Sequence, residues 1–497
     1  MEQAGTIRSG SSASRWVITA AVLGSGIAFL DATVVNVALP AIGRDLGTGL
    51  SGLQWVLDGY LLTLSALLLL GGSLGDLYGR RRMFVVGLVA FSAASVLCGV
   101  APNVGFLVAA RALQGVGGAL LVPGSLSLLS ASFRPEDRGP AVGAWSGLAG
   151  VVTALGPFAG GWLVDAVSWR WVFLINLPLA AVAAVITVRH VPESRDPAAG
   201  RRPDLVGAAL VTVGLAGLVY ALIEGSAHGS LTPELAAAGT VGLAAVVAFP
   251  FVEARVPHPL VPLSIFRSRQ FVGANLTTLT VYAAFGGALF LVALELQGGL
   301  GYSALEAGSA LLPITLLLVT LSTHMGKVAQ RTGPRLPMTA GPVLVGAGLF
   351  LAGFIGPGDG YATGVLPAVL ILGLGMAVTV APLTSAVMAS VDDHRVGVAS
   401  GLNNAVARVG GLLAVAVLPA LSGLGGVAPT DAEFGAGVAR SLRISAVLAA
   451  AGGACAWALV RRAAPVRSVP QVTVAAGCQD PCLLEPLPAR QSRPEVA

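Results

Sequence analysis

A carboxylate stands inside the first long apolar stretch of the sequence. Asp31 lies in FLDATVVNVALPAIG, and the apolar run that contains it begins at Trp16. A charge at the centre of a membrane helix costs about 2.5–3.5 kcal/mol on insertion scales, so it usually faces a cavity or pairs with an opposite charge. Asp31 is therefore a candidate for a carboxyl that takes up and releases protons. The alternative is a static ion-pair partner of an arginine.

An arginine opens a second apolar stretch, RALQGVGGALLVPGS. The helix face of Arg111 also carries Gln114, Gly115 and Gly118, and small residues on that face allow close helix packing. We expect Arg111 to pair with a carboxylate of the first span or to contact a proton path, and purely structural pairing is the alternative. Gln114 and Asn36 are candidates for residues that line a substrate cavity.

Three more charged residues lie within apolar stretches. Asp58, in QWVLDGYLLTLS, is either a second buried proton carrier or a solvated group near the membrane surface. Glu295, in ALELQGGLGYS, is either a further titratable site or an interfacial charge. Arg408, in NNAVARVGG, is expected to pair with polar neighbours.

The segment GGSLGDLYGRRR joins two apolar stretches and contains Gly72, Asp76, Gly79, Arg80 and Arg81. Glycine permits tight backbone approach, and a carboxylate accepts hydrogen bonds from helix N-termini or arginines. A merely basic turn would explain the arginines but not the full Gly-x-Leu-x-Asp-x-x-Gly-Arg spacing. We therefore expect a gating role for this loop.

The segment GVVTALGPFAGG lies within the fifth apolar stretch. Pro157 has no N–H, so one carbonyl loses its helix partner, while Gly156, Gly160 and Gly161 thin the helix. The pattern predicts a bend that packs closely on a neighbour and biases an alternating-access cycle. The alternative is the ordinary tolerance of membrane helices for glycine and proline.

The composition assigns the chain to membrane proteins. It is 55% hydrophobic and 11% charged, with a mean hydropathy of +0.83, whereas soluble domains carry about 25% charged residues. Four cysteines give no disulfide framework, and the Cys478–Cys482 spacing has no histidine nearby to complete a metal site. We predict no metal, no cofactor and no nucleic-acid partner.

Fourteen stretches are long enough to cross a bilayer as helices, so we predict an all-α integral membrane fold. They are 16–39, 51–73, 83–101, 105–130, 140–164, 170–188, 204–224, 233–252, 271–297, 304–325, 337–356, 361–389, 399–422 and 440–460. With both termini in the cytoplasm, 21 basic residues as far along the chain as Arg467 lie on the inner side and four on the outer side, namely Arg44, Arg170, Arg440 and Arg443. The positive-inside rule predicts this imbalance.

The two halves of the chain contain a sequence repeat. Gly72 aligns with Gly326 and Gly79 with Gly333, at the same offset of 254 residues. We therefore predict a cytoplasmic N-terminus (1–15), a six-helix bundle (16–188), a linker with two extra transmembrane helices (189–270), a second six-helix bundle (271–460) and a disordered cytoplasmic tail (461–497). Parallel repeats of this kind form transporters with the substrate site between the halves.

These motifs together resemble the major facilitator superfamily, specifically its fourteen-span drug:proton antiporters. The resemblance covers about residues 16–460 and rests on LDATVVNVALP, GSLGDLYGRRRMF, RALQGVGGA, GPFAGG with Gly143, and WRWVFLINLP. It implies proton coupling through Arg111 and an antiporter motif at Gly156–Gly161. The sequence departs from the family pattern at Leu77, Val152, Gln330 and Glu295.

The sequence thus predicts a proton-coupled antiporter that exports drugs or antibiotics by alternating access. Its partners would be a small amphipathic substrate, protons and the lipid bilayer, and the protein would be a monomer in the cell membrane. Asp31, Arg111, Asp58 and Glu295 are the proton-coupling candidates. No phosphate loop, nucleophile elbow or other enzyme signature occurs, so an ion gradient would supply the energy. A proton-linked importer of another metabolite and a non-transporting membrane sensor are the alternatives.

Overall fold

The chain folds as a bundle of long apolar helices. The computed structural model describes residues 7–196, 203–230, 232–356, 358–392, 395–427, 431 and 433–461. The predicted tail therefore lies outside the described residues, apart from Arg461. Within the described ranges no β-strand occurs, and Ile7 and Phe133 form an isolated bridge.

Among the described residues, fourteen helices are long and apolar enough to span a membrane, which confirms the predicted fold class. They are α1 (Ser12–Leu46), α2 (Leu50–Tyr78), α3 (Arg80–Gly99), α4 (Val104–Ser132), α5 (Pro135–Ala166), α6 (Trp171–His190), α7 (Leu205–His228), α8 (Pro233–Glu253), α9 (Arg269–Gly298), α10 (Ala304–Thr332), α11 (Arg335–Ala352), α12 (Tyr361–Met388), α13 (Val396–Leu421) and α14 (Phe434–Leu459). A helix satisfies its backbone hydrogen bonds internally, as lipid requires.

Local signals set several helix ends. The Asn103 side chain accepts a hydrogen bond from the backbone N–H of Phe106 at the start of α4. At the start of α10, Ser303 and Glu306 form a reciprocal capping box. Such caps satisfy N–H groups that a helix leaves unpaired at its first turn.

The same helix pairs pack in the two halves of the chain. In the N-terminal half (α1–α6), α2 and α3 pack on α4, and α1 packs on α5. In the C-terminal half (α9–α14), α10 and α11 pack on α12, and α9 packs on α13. The repeat extends to the loops, because Gly79 and Gly333 both have positive φ, +113° and +83°. Glycine adopts this conformation readily.

The inserted pair, α7 and α8, packs on itself and then on both halves. An apolar cluster joins α7 to α2 and α13 through Leu62, Ala66, Leu215, Val219, Ile223, Leu412 and Ala416. The indole Nε1 of Trp55 donates to Glu224 Oε1 at 2.7 Å. The pair thus lies against the seam at which α2 meets α13.

The two ends of the bundle differ in how the halves meet. We call the end that holds the α2–α3 loop, with Arg80, Arg81 and Arg82, the basic end. At the opposite end, hydrogen bonds join the two halves. Gln54 Nε2 donates to the Val415 carbonyl (2.6 Å), and Gln297 Nε2 donates to the Val37 carbonyl (2.9 Å). The backbone N–H groups of Ala304 and Leu305 donate to the Asp165 carboxylate (3.2 and 2.8 Å). The halves are therefore latched together at the opposite end.

Toward the basic end, α5 and α10 are more open. Methyl groups built at Gly143 and Gly147 of α5 would meet no atom within 4 Å. Thr323 and His324, in the corresponding part of α10, are exposed. The structure is thus closed at the opposite end and more open at the basic end.

Candidate functional site

A polar network surrounds Asp31 inside the N-terminal half. Asp31 is fully buried, and its Oδ2 accepts a hydrogen bond from Arg111 Nη1 at 2.5 Å. Its Oδ1 accepts from Gln114 Nε2 at 2.9 Å and from Asn176 Nδ2 at 3.1 Å. Three donors from α4 and α6 therefore hold a carboxylate that belongs to α1.

Arg111 is equally buried and uses most of its donors. Its Nε donates to the Val56 carbonyl of α2 at 3.1 Å, and Nη1 also donates to Gln114 Oε1 at 2.6 Å. The guanidinium carbon lies 4.3 Å from the centroid of the Tyr60 ring. Because Nη2 has no hydrogen-bond partner in the described structure, two of the five N–H donors of Arg111 are free.

Close helix contacts bring these groups together. A Cβ added at Gly117 of α4 would lie 2.6 Å from the backbone nitrogen of Phe91 in α3. A Cβ at Gly59 of α2 would lie 3.0 Å from the carbonyl oxygen of Val108 in α4. Small residues at these crossings let α2, α3 and α4 approach one another. The GVGG sequence after Arg111 therefore helps to build the site.

The predicted pairing of Arg111 with a carboxylate of the first span is present. Ser95 and Asn176 belong to the same network and were not predicted, since Ser95 Oγ accepts from Gln114 Nε2 at 2.9 Å. The cavity role expected for Gln114 stays a prediction; in this structure its side chain is fully buried and bonds to Asp31, Arg111 and Ser95. The amide of Asn176, just after the WVFLI segment, is the sequence feature that could have indicated a further partner for Asp31.

The other cavity candidate, Asn36, is half-buried and lies outside the Asp31 network. Its Nδ2 donates to the Ala32 carbonyl of its own helix at 2.8 Å. Helical periodicity puts Asn36 on the same face of α1 as Phe29, Ala32 and Thr33, which are half-buried too. Asp31 lies on a different, fully buried face. The helix α1 thus separates a buried network from a more open central face.

Asp58 and Glu295 lie apart from Asp31. Asp58 is fully buried, so the alternative of a solvated group near the membrane surface is wrong. Neither carboxylate oxygen of Asp58 has a hydrogen-bond partner in the described structure. Glu295 is half-buried in the C-terminal half and lines a pocket with Val292 and Val438. The four proposed proton-coupling residues therefore do not form one cluster.

Arg408 also differs from expectation. The predicted pairing with polar neighbours is wrong, because Arg408 makes no hydrogen bond or ion pair with any residue that the structure describes. Instead its guanidinium carbon lies 5.5 Å from the centroid of the Phe29 ring in the other half. The neighbouring amide of Asn403 donates to Asn275 Oδ1 and Thr278 Oγ1.

The α2–α3 loop forms its contacts within itself and with the segment that follows α6. Asp76 Oδ1 accepts from Arg80 Nη2 at 2.7 Å and from Arg80 Nε at 2.9 Å. The Glu193 carboxylate accepts the backbone N–H groups of Arg81 and Arg82 at 3.1 and 3.2 Å. An acidic group at a helix N-terminus is favourable, and Glu193 supplies it to α3. Sequence reasoning missed Glu193, which is distant in the chain. Gly72, the first glycine of the motif, lies in α2 opposite Pro123.

The glycines of the fifth span touch two neighbours. Gly156 and Gly160 lie against Thr33 and Val34 of α1. A Cβ added at Gly161 would lie 2.6 Å from Leu305 Cα of α10, in the other half. The helix α5 continues through Pro157 without a break. The segment therefore packs closely on α1 and on the C-terminal half at once.

Comparisons with known proteins assign this architecture to a family. The family model described as Major Facilitator Superfamily matches residues 21–415, most of the chain. The chain belongs to the Major Facilitator Superfamily. The match includes the Asp31 network, the α2–α3 loop and Arg408.

Curated relatives place the chain among the superfamily's drug efflux proteins. It is 39% identical over 88% of its length to a "Probable actinorhodin transporter" of Streptomyces coelicolor, of which it covers 77%. It is 38% identical to a puromycin resistance protein of Streptomyces alboniger, with 82% of each chain covered. A "Tetracenomycin C resistance and export protein" of Streptomyces glaucescens is 36% identical over 81% of this chain and 75% of its own.

Solved structures share the fold of this Major Facilitator Superfamily chain. A bacterial homologue of the human lysosomal transporter Spinster, inward-facing and unoccupied, has a TM-score of 0.64 at 15% identity, covering 92% of this chain and all of the other. An autoinhibited POT family peptide transporter has a TM-score of 0.67 at 15% identity, with 91% and 97% covered. Both likenesses concern the fold alone. The family and the relatives are transporters.

Proposed function

We propose that this protein exports a drug-like or antibiotic molecule from the cytoplasm in exchange for protons. The observation that carries the proposal is the fully buried Asp31 carboxylate and its contact with Arg111. Ionisable residues within a membrane often mark proton relays, and here both charges of such a relay are present. The names of the resistance and export relatives support a drug or antibiotic as cargo.

The positive-inside rule supports the orientation. Arg80, Arg81 and Arg82 lie at the basic end, so that end faces the cytoplasm. The even number of spans in the described part of the chain supports both chain termini lying on the same side. The latched opposite end then faces outward, and the structure corresponds to an inward-facing state of the cell-membrane protein.

The chemistry of the network suggests how a proton and a conformation are linked. Protonation of Asp31 would replace an acceptor by a hydroxyl, so the bond from Arg111 Nη1 would weaken. Arg111 would remain charged, because a guanidinium is not deprotonated in proteins. The Arg111 guanidinium would then need a different polar environment, and movement of α4 relative to α1 would bring it into one. A buried charge that has lost its partner costs several kcal/mol, which is enough to bias a conformational equilibrium.

The test uses inverted membrane vesicles with an acid interior, a pH-sensitive dye and a panel of antibiotics and lipophilic cations. We expect a transported compound to release protons with the wild-type protein and not with Asp31→Asn. Asp45→Asn is the matched control, because Asp45 is a carboxylate of the same helix that pairs with Arg170 at the end of the bundle. Proton release by Asp31→Asn at the wild-type rate would contradict the role of Asp31. Substrate-dependent proton movement in the opposite direction would support an importer.

A further inference from the structure

Arg408 lies in the middle of α13 and faces the N-terminal half. It is half-buried, and its guanidinium carbon lies 5.5 Å from the Phe29 ring centroid. It has no hydrogen bond or ion pair with any described residue. A guanidinium offers five N–H donors and stays charged. Arg408 is therefore a permanent cation with unused donors at the seam between the halves.

Neither Asp31 nor Asp58 pairs with this cation in the described structure. The Asp31 carboxylate is already held by Arg111, Gln114 and Asn176. Asp58 belongs to α2, and neither of its oxygens has a hydrogen-bond partner among the described residues. A cation at the centre of a membrane helix is costly and usually faces a pathway. A fixed positive charge thus remains at this position.

The surroundings leave room for a ligand. Asn404 and Gly411 share the helix face of Arg408, one turn to either side. Asn404 is exposed, and a methyl group built at Gly411 would meet no atom within 4 Å. Across the seam, α1 presents Phe29 and the half-buried Asn36 on one face. A cation, an aromatic ring and amides therefore border the same open region.

We propose that Arg408 and Phe29 form a substrate subsite that selects an anionic group attached to a planar aromatic ring system. The guanidinium would bind a carboxylate or an ionised phenol, since its planar fork matches two oxygens. The Phe29 ring would contact the aromatic part of the same molecule. This inference rests on the proposed export function, and it makes the preferred cargo acidic and aromatic rather than a lipophilic cation.

A binding experiment with three probes of one ring system tests the subsite. The full-length protein is placed in nanodiscs of zwitterionic lipid, so that no anionic headgroup supplies the counter-charge. Pyrene-1-carboxylate, pyrene-1-carboxamide and pyren-1-ylmethylammonium are titrated by fluorescence. We expect the wild type to bind the carboxylate at least about tenfold more tightly than the other two, as a charge-assisted contact would give.

The Arg408→Gln variant should bind the carboxylate within about twofold of the carboxamide, with carboxamide affinity unchanged. Arg331→Gln is the matched control, because Arg331 is an exposed arginine near the basic end of α10. An unchanged carboxylate preference in Arg408→Gln would overturn the proposal, and so would tightest wild-type binding of the ammonium probe.

Two further variants keep the test decisive if Arg408→Gln does not fold. Arg408→Lys keeps the charge and should retain the preference for the carboxylate over the carboxamide. Phe29→Leu should weaken all three probes by a similar factor and keep that preference. Loss of the preference in the lysine variant, or wild-type affinities in Phe29→Leu, would contradict the subsite.

Binding requires no proton gradient, so the subsite and the export function can fail separately. An Arg408-dependent carboxylate preference without proton release from acid-interior vesicles would uphold the subsite and contradict the proposed antiport. Proton release on addition of the carboxylate, with the same affinity in wild type and Arg408→Gln, would uphold antiport and contradict the subsite.

Discussion

Asp31 and Arg111 form an ion pair in which both side chains are fully buried and 2.5 Å separates Oδ2 from Nη1. The pair joins α1 to α4, and neither charge reaches the open side of α1 that carries Phe29 and Asn36. In the proposed mechanism, a proton would therefore reach Asp31 through a rearrangement of the bundle rather than directly from the central region. This burial would link proton access to conformation.

The stability of the N-terminal half should depend on both partners of this ion pair. We expect Arg111→Gln to destabilise the protein by about 3–5 kcal/mol, because it leaves a buried carboxylate without its cation. The double variant Asp31→Asn/Arg111→Gln should recover most of that stability while proton-coupled export stays lost. Unfolding in detergent, followed by circular dichroism, measures the first effect, and vesicle assays measure the second. A double variant no more stable than Arg111→Gln would contradict this account.

Asn176 should support proton-coupled export by holding the Asp31 carboxylate in place without carrying the proton. Its Nδ2 donates to Asp31 Oδ1, and Asn176→Ala removes that donor from the carboxylate. A hydrogen bond to a charged group is worth about 1.5–3 kcal/mol, so we expect Asn176→Ala to destabilise the protein by about that amount and to reduce proton release. Unfolding in detergent and proton release from vesicles measure the two effects. Asn403→Ala, which removes an amide of the other half, should leave proton release unchanged.

Asp165 should hold the opposite end closed. Its carboxylate accepts the first N–H groups of α10 from across the interface, which is a capping interaction worth about 0.5–2 kcal/mol. Asp165→Ala should therefore shift the ratio of closed to open molecules by about 2- to 30-fold toward the open form. Spin labels at Arg44→Cys and Thr363→Cys would report the distance across that end.

The matched control for Asp165→Ala is Asp45→Ala. Asp45 pairs with Arg170 at the same end of the bundle, but both residues belong to the N-terminal half. Its loss removes a carboxylate without removing a contact between halves. An equal distance change in both variants would show that Asp165 does not latch the interface.

Gly161 should tolerate no side chain in the closed state. A Cβ there would lie 2.6 Å from Leu305 Cα, so Gly161→Ala should force α5 and α10 apart and disfavour closure by about 1–3 kcal/mol. Gly143→Ala, in the same helix, should change nothing, because its Cβ would meet no atom within 4 Å. The same spin-label pair measures both variants, and equal behaviour would contradict the packing argument.

The sequence was sufficient for the architecture because the signals are long and repeated. The length of each apolar stretch predicts a span. The constant offset that relates Gly79 to Gly333 predicts the duplication, and both glycines have a positive φ in the structure. The pairing of Arg111 with Asp31 also follows from sequence, since an arginine within a membrane span usually pairs with an opposite charge or faces a cavity. These inferences depend on composition and on local periodicity.

The rest of the site depends on which helices become neighbours. Ser95 and Asn176 are ordinary uncharged residues until α3 and α6 bring them beside Asp31. Gln114 shares a helix face with Arg111, and the i,i+3 spacing was a sufficient reason to place it in the network rather than on a cavity wall. The polar neighbours of Arg408 are satisfied elsewhere, as Asn403 is by Asn275 and Thr278. Local sequence does not contain the choice of partners for Ser95, Asn176 and Asn403.

The position of the inserted pair has a consequence for traffic from the bilayer. The helix α7 covers the seam between α2 and α13 with an apolar cluster and with the Trp55–Glu224 hydrogen bond. The crevice between the halves is therefore filled on this flank, on the side that faces the bilayer. On the other flank, α5 and α10 are loosely covered toward the basic end, at Gly143 and His324. In the described part of the chain, the two extra helices therefore cover one of these two flanks between the halves, and the α5–α10 flank is the less covered side toward the bilayer.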